Sequence, residues 1–199
     1  MSVHRQHRMR GVGEIERSGL STLNSVGAVT ESNRIQEYDV GLAIAGDQNF
    51  SAWNRLSDNT WNIQVISEGG LIYANRTSAG ETGLITTSGS SGDAQLVANR
   101  VSQATGYGIF SGTVFTILSD NTVKGSGLAG AFLDGPGALF YGNRLLSSGT
   151  DGIEADLASL GALLLNTSLK NEGLDLRAAQ NEDNVFIDNK LKSTNIVNL

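Results

Sequence analysis

Along this chain, short apolar runs end repeatedly on an asparagine. They read "QLVAN", "FTILSDN", "ALFYGN", "ALLLN" and "NVFIDN", each about five residues long and bounded by Gly, Ser, Asp or Asn. Runs this short and rich in β-formers predict strands. Beyond residue 30 no stretch carries the capped 3.6-residue period of an amphipathic helix. "DLASLGALLLN" comes nearest, and Gly161 interrupts it. The asparagines stand at Asn33, Asn54, Asn75, Asn99, Asn121, Asn143, Asn166 and Asn189, at intervals of 21, 21, 24, 22, 22, 23 and 23 residues.

A period in the low twenties is the mark of a solenoid. It predicts an all-β, single-stranded parallel β-helix of about eight coils of 21–24 residues, with three short strands per coil. Successive coils then stack about 4.8 Å apart, as paired strands do. An inward asparagine at a turn can bond to backbone and to the asparagines above and below it, which satisfies polar groups that the bend would otherwise bury unpaired. The next residue points outward, which suits Arg34, Arg55, Arg76, Arg100, Arg144 and Lys190. The one after points inward: Ile35, Leu56, Thr77, Val101, Val123, Leu145, Ser168 and Leu191.

Composition changes the picture little. Twenty-five glycines with a single proline suit tight turns in a regular framework, and the absence of cysteine excludes disulfides and thiolate metal sites. The formal charge of −6 is uneven: residues 1–17 carry +2, with Arg5, Arg8, Arg10 and Arg17 against Glu14 and Glu16, and the remainder carries −8. An acidic body predicts no nucleic-acid partner. No run is long enough to span a membrane, and the basic head has no apolar core of a signal peptide. Residues 1–17 are read as an irregular basic segment or cap, and 18–199 as the β-helix domain.

The Asn-Arg-φ and Gly-φ-x-φ repeats together resemble the right-handed parallel β-helices of the pectate-lyase-like superfamily, over about residues 14–199. The resemblance implies the right-handed form of the fold and an extracellular or surface setting. Its members include lyases, hydrolases, epimerases and non-catalytic proteins, so it does not fix the activity. Motifs of the polygalacturonase type are absent, and the only histidines are His4 and His7.

Aligning the coils on Gly-φ-x-φ gives an outward column of Ala43, Gln64, Ile85, Phe110, Leu133, Glu154 and Asp175. In the superfamily this strand commonly carries the active site. Glu154 and Asp175 fall one coil apart, with Asp156 and Arg177 two residues further along. Paired carboxylates of this kind can act as acid and base on a sugar. The same group, as Asp151, Glu154 and Asp175 with Glu172 nearby, also matches the oxygen ligands of calcium; no other cofactor is expected. A solvated acidic face is the plainer alternative. Ile85, Phe110 and Leu133 make an apolar stretch that predicts a glycan platform, a protein partner or self-association. The arginine column Arg34, Arg55, Arg76, Arg100 and Arg144 predicts either a track for an anionic polysaccharide or an ordinary soluble face. The leading function is a non-catalytic scaffold or binding module presenting an outer strand face to a glycan or a protein. The alternative is a polysaccharide lyase, glycoside hydrolase or epimerase. "NFS", "NRT" and "NTS" match the N-glycosylation pattern at Asn49, Asn75 and Asn166, but two of these are ladder positions.

Overall fold

The computed structural model describes residues 2–10, 18–66, 69–87, 93–155, 161–180 and 185–198. Their fold is a parallel β-solenoid of three sheets, here named A, B and C in the order the chain visits them. Among the described residues each sheet has nine strands, and no helix occurs. Sheet A runs from Val3–Arg5 to Val185–Ile187, sheet B from Arg8–Arg10 to Lys190–Leu191, and sheet C from Ser18–Ser21 to Thr194–Asn198. Every coil gives one strand to each sheet, so each strand pairs in parallel with its counterpart one period away. The segment expected to be irregular adds the extra rung. Val3–Arg5 pairs with Val29–Glu31, and Arg8–Arg10 pairs with Arg34–Gln36.

Most strands are three residues long, and alternation sends the middle residue of a sheet A or sheet B strand inward. The predicted inward series is buried at Ile35, Leu56, Thr77, Val101, Val123, Leu145 and Ser168, and Leu191 packs at the rim of the core. Ile72, Leu96, Leu118, Phe140 and Leu163 fill the core from sheet A, and Leu42, Ile63, Leu84, Ile109, Ile153 and Leu176 fill it from sheet C.

The turn from sheet A to sheet B holds the ladder. Asn121 is typical: its Oδ1 accepts from the Asn99 backbone N–H at 2.9 Å and from Asn99 Nδ2 at 3.1 Å. Its own Nδ2 donates to Asn143 Oδ1 at 3.0 Å and to the Leu96 carbonyl at 2.7 Å. The same pattern runs from Asn33 to Asn189. The residue before each ladder asparagine has positive φ, between 50° and 63°, at Ser32, Trp53, Ala74, Ala98, Asp120, Gly142, Leu165 and Asp188. Left-handed backbone costs a non-glycine residue about 1 kcal/mol or more. Four hydrogen bonds per asparagine, nearly all in buried surroundings, offset that cost. Asn49, Asn75 and Asn166 are buried, so the sequons do not mark exposed sites.

The outer face of sheet A is apolar to an extent that the sequence analysis missed. From Phe50–Ala52 to Val185–Ile187, the first residues of its strands are Phe50, Leu71, Gln95, Ile117, Leu139, Ala162 and Val185. The third residues are Ala52, Tyr73, Val97, Ser119, Tyr141, Leu164 and Ile187. None of the fourteen is charged, and all but the buried Ala52 reach the surface.

Candidate functional site

Two outer faces carry the residues singled out in the sequence: sheet C, where catalysis was expected, and sheet B, which bears the arginines.

On sheet C the register aligns Ala43, Gln64, Ile85, Phe110, Phe132, Glu154 and Arg177 in one column, but Ala43 and Ile85 are buried, so Ile85 does not offer the exposed contact expected of it. Two expected members are therefore displaced. Leu133 is fully buried, and its neighbour Phe132 takes the outward place beside Phe110. Glu154 pairs in register with Arg177, whereas Asp175 lies two residues earlier and is buried. Phe110, Phe132 and Tyr107 form a half-buried aromatic cluster with ring centroids 5.3–5.8 Å apart.

The carboxylates expected to act together are largely committed elsewhere. Asp175 is 2% exposed; its Oδ1 accepts from Asn171 Nδ2 at 2.7 Å, and its Oδ2 from the backbone N–H groups of Lys192 and Ser193 at 2.7 and 3.2 Å. A buried carboxylate surrounded by N–H donors is a turn-closing group. Asp151 is buried as well, accepting from the Leu174 N–H at 2.7 Å and pairing with Arg177 Nε at 2.9 Å. Arg177 thus holds a structural ion pair. Asp156 lies outside the described residues. The expected calcium group of Asp151, Glu154 and Asp175 is not assembled: among the described residues no cluster of three or more His, Cys, Asp or Glu side chains could hold a metal. Glu154 keeps a half-exposed place between Phe132 and Arg177. Asp134, which the sequence analysis overlooked, is exposed two residues beyond Phe132.

A signal for the correct register was present in the chain. The outward residues Phe110, Phe132, Glu154 and Arg177 each follow their coil's ladder asparagine by eleven residues. Counting from the ladder carries Glu154 to Arg177. Matching on Gly173-Leu174 instead slipped the last coil by two residues.

Sheet B places Arg8, Arg34, Arg55, Arg76 and Arg100 in direct register on five successive strands. Thr122 interrupts the run, Arg144 follows, and Thr167 separates Arg144 from Lys190. Two residues along each strand, small side chains form a floor: Ser57, Ser78 and Ser102 are also in register. Arginine bank and serine floor border an open groove of about 540 Å³, lined by Arg34, Arg55, Arg76 and Arg100 and reaching Thr122 and Lys124. Across the arginines lies a smaller hollow of about 280 Å³, bordered by Trp53, Ala74 and Ala98.

Arginines on the first rung behave differently. Arg5 Nε meets Glu31 Oε2 at 2.6 Å, and Arg10 Nε meets Glu37 Oε2 at 2.6 Å. The hydrogen bond to Arg10 holds the Glu37 carboxyl below the usual carboxylate range, and Glu37 in turn raises the Arg10 guanidinium. Among the described residues no carboxylate pairs with Arg34, Arg55, Arg76, Arg100 or Arg144.

Comparison with known proteins agrees with the fold. A family model described as "NosD: Periplasmic copper-binding protein (NosD)" matches residues 3–199. Among solved structures, the periplasmic alginate epimerase AlgG superposes with a TM-score of 0.60 at 18% identity, covering 86% of this chain and 47% of that one. A mutant DFA-IIIase from Arthrobacter chlorophenolicus A6, in complex with DFA-III, gives 0.58 at 12% identity over 96% and 47%. The catalytic unit of a GH87 alpha-1,3-glucanase from Streptomyces thermodiastaticus strain HF3-3 gives 0.51 at 12% over 87% and 51%. The chain thus spans about half the length of these structures. No curated protein matches it. Copper sites are built from imidazole, thiolate and thioether ligands. The chain has no cysteine, and its two histidines, His4 and His7, stand with ring centroids 6.4 Å apart on the first rung. Among the described residues no group of three or more His, Cys, Asp or Glu side chains could hold a metal, and only Met9, on the same rung, adds a thioether near the two histidines.

Proposed function

The chain belongs to the NosD family, and from that premise we propose that it is a non-catalytic binding module whose sheet B holds an acidic polysaccharide along the solenoid axis. The observation that carries the proposal is the run of unpaired arginines beside the serine floor. Like charges directly opposite one another on paired strands are destabilising. Arg34, Arg55, Arg76 and Arg100 accept that cost with no carboxylate to relieve it. The four span roughly 14 Å at the strand spacing, a length that a short oligosaccharide covers. Guanidinium forks match carboxylates in a planar, bidentate way, and serine hydroxyls offer hydrogen bonds to sugar hydroxyls. A narrow track on an acidic body suits a thin linear polyanion better than a nucleic acid, whose width would meet the acidic surroundings. The alginate epimerase, DFA-IIIase and alpha-1,3-glucanase neighbours support a carbohydrate ligand, and the family description supports a periplasmic setting.

Titration calorimetry with oligogalacturonate tests this. Binding is expected to weaken as salt rises and to fall tenfold or more in Arg55→Gln/Arg76→Gln. Equal binding of a neutral oligosaccharide, or tighter binding of single-stranded DNA, would contradict the assignment. A second reading, an enzyme working on sheet C, rests on the half-exposed Glu154 beside the aromatic cluster. It requires turnover of a polysaccharide that Glu154→Gln abolishes.

A further inference from the structure

Seven of the nine strands of sheet A, from Phe50–Ala52 to Val185–Ile187, present an outward face without a charged residue; the two strands before them carry the Arg5–Glu31 ion pair. The uncharged face owes nothing to the binding proposed for sheet B. Soluble monomers rarely leave a contiguous apolar patch beyond a few hundred Å² open to water. Depletion of charge together with exposed tyrosine is also what the buried centre of an interface shows. Tyr73 and Tyr141 both stand on this face. Its borders are mixed: Trp53 is 52% exposed at one edge, and Phe115 and Leu165 are exposed at the turns before and after the strands, whereas Asp120 and Asp188 are exposed at the same turn position as Trp53 in their coils. Trp53 packs edge-on against Phe50 and Tyr73, at 6.2 and 6.0 Å, so it extends the sheet's own surface.

We propose that sheet A is where two copies of this chain pair face to face. The area supports a second copy as the occupant. Seven strands with a turn residue at either edge cover roughly 34 by 17 Å, or about 570 Å² per copy. Two such faces bury about 1,100 Å² together, just above the roughly 1,000 Å² that a specific interface needs. The partner must offer a surface equally flat, equally long and equally free of charge, and the same face of another copy meets all three conditions. Two twisted sheets with apolar faces have a ready packing mode, about 10 Å apart with strands inclined by some 30°. Such a contact is isologous: it uses up both faces and stops at the dimer.

Sedimentation equilibrium across a dilution series decides the matter. The expected species is twice the 20.9 kDa monomer, strengthened by added sulfate because its contact is apolar. Val97→Lys and Leu139→Lys, each placing a charge on the outward face, should each weaken the dimer tenfold or more. Phe132→Ser on sheet C and Arg76→Gln on sheet B should leave it intact. A monomer at every concentration would overturn the proposal. So would a dimer that survives both lysine variants, or species that grow beyond two copies. Two independent lysine positions guard against one variant failing to fold, and wild-type-like circular dichroism identifies those that fold.

Discussion

Two columns run the length of this solenoid one residue apart, and their chemistry is opposite. The ladder asparagines face inward and each bonds to the next, so stacking relieves the polar groups that it buries. The arginines beside them face outward, and stacking brings like charges into register without a partner. A repeat copies both columns together, yet the fold needs only the first. The contrast separates what holds the coils together from what the coils display.

The ladder side of this contrast should break hardest. Asn121→Leu strips partners from the Asn99 N–H, the Leu96 carbonyl and the neighbouring asparagine side chains. At roughly 1–3 kcal/mol for each buried group left unpaired, a loss on the order of 3 kcal/mol is expected in urea denaturation. A variant as stable as the parent would show that the ladder is not structural.

A smaller effect of opposite sign is expected at the turn residue just before the ladder column. Ala98 holds φ at 55° just before Asn99. Glycine accepts that conformation without a Cβ clash, so Ala98→Gly should gain about 0.5–1 kcal/mol. Thermal melting checks the sign, and a lower melting temperature would mean that the methyl group packs more usefully than the turn is strained.

The arginine column should show the smaller response of a surface. Neutralising one arginine between two others, as in Arg76→Gln, is expected to leave stability unchanged or raise it by about 0.2–1 kcal/mol. The effect should shrink in high salt, because exposed charges are screened beyond about 10 Å at 0.1 M. A clear loss would show that the guanidinium packs as well as repels.

The first rung offers the smallest test. Glu37 is held below its usual pKa by Arg10, so the stabilising pair is fully present above the ordinary carboxylate range. It is lost as pH falls through the lowered folded-state value. The pair is exposed, so the change should be slight. It should vanish in Glu37→Gln, whereas Arg76→Gln should leave this acid dependence unchanged.

The fold was legible because a buried polar ladder needs the same residue at the same place in every coil, and no other side chain makes that set of bonds. The outer faces were less legible because solvent does not impose identity, only alternation. On sheet C, aligning one coil on Ala131 and not on Gly130 displaced the outward place to Leu133 by one residue, and matching on Gly173 displaced it to Asp175 by two; either slip misplaces what reaches the surface. The ladder count would have corrected both. Sheet A was missed for a different reason. Its strands read as apolar runs, and an apolar run is taken for core unless the coil fixes which residues turn out. Phe140 is core while Leu139 and Tyr141 are face, and alternation alone separates them.

The central claim is that the arginine column serves a ligand and not the fold. Urea denaturation of Arg55→Gln/Arg76→Gln, with and without oligogalacturonate, tests it most directly, because urea leaves the charges unscreened. A ligand that binds only the folded chain raises its stability by mass action. The account predicts that the double variant unfolds at the parent's midpoint or above it without the ligand, and that the ligand raises the parent's midpoint but not the variant's. A variant that unfolds earlier than the parent without ligand, or is stabilised by it to the same degree, would contradict the account.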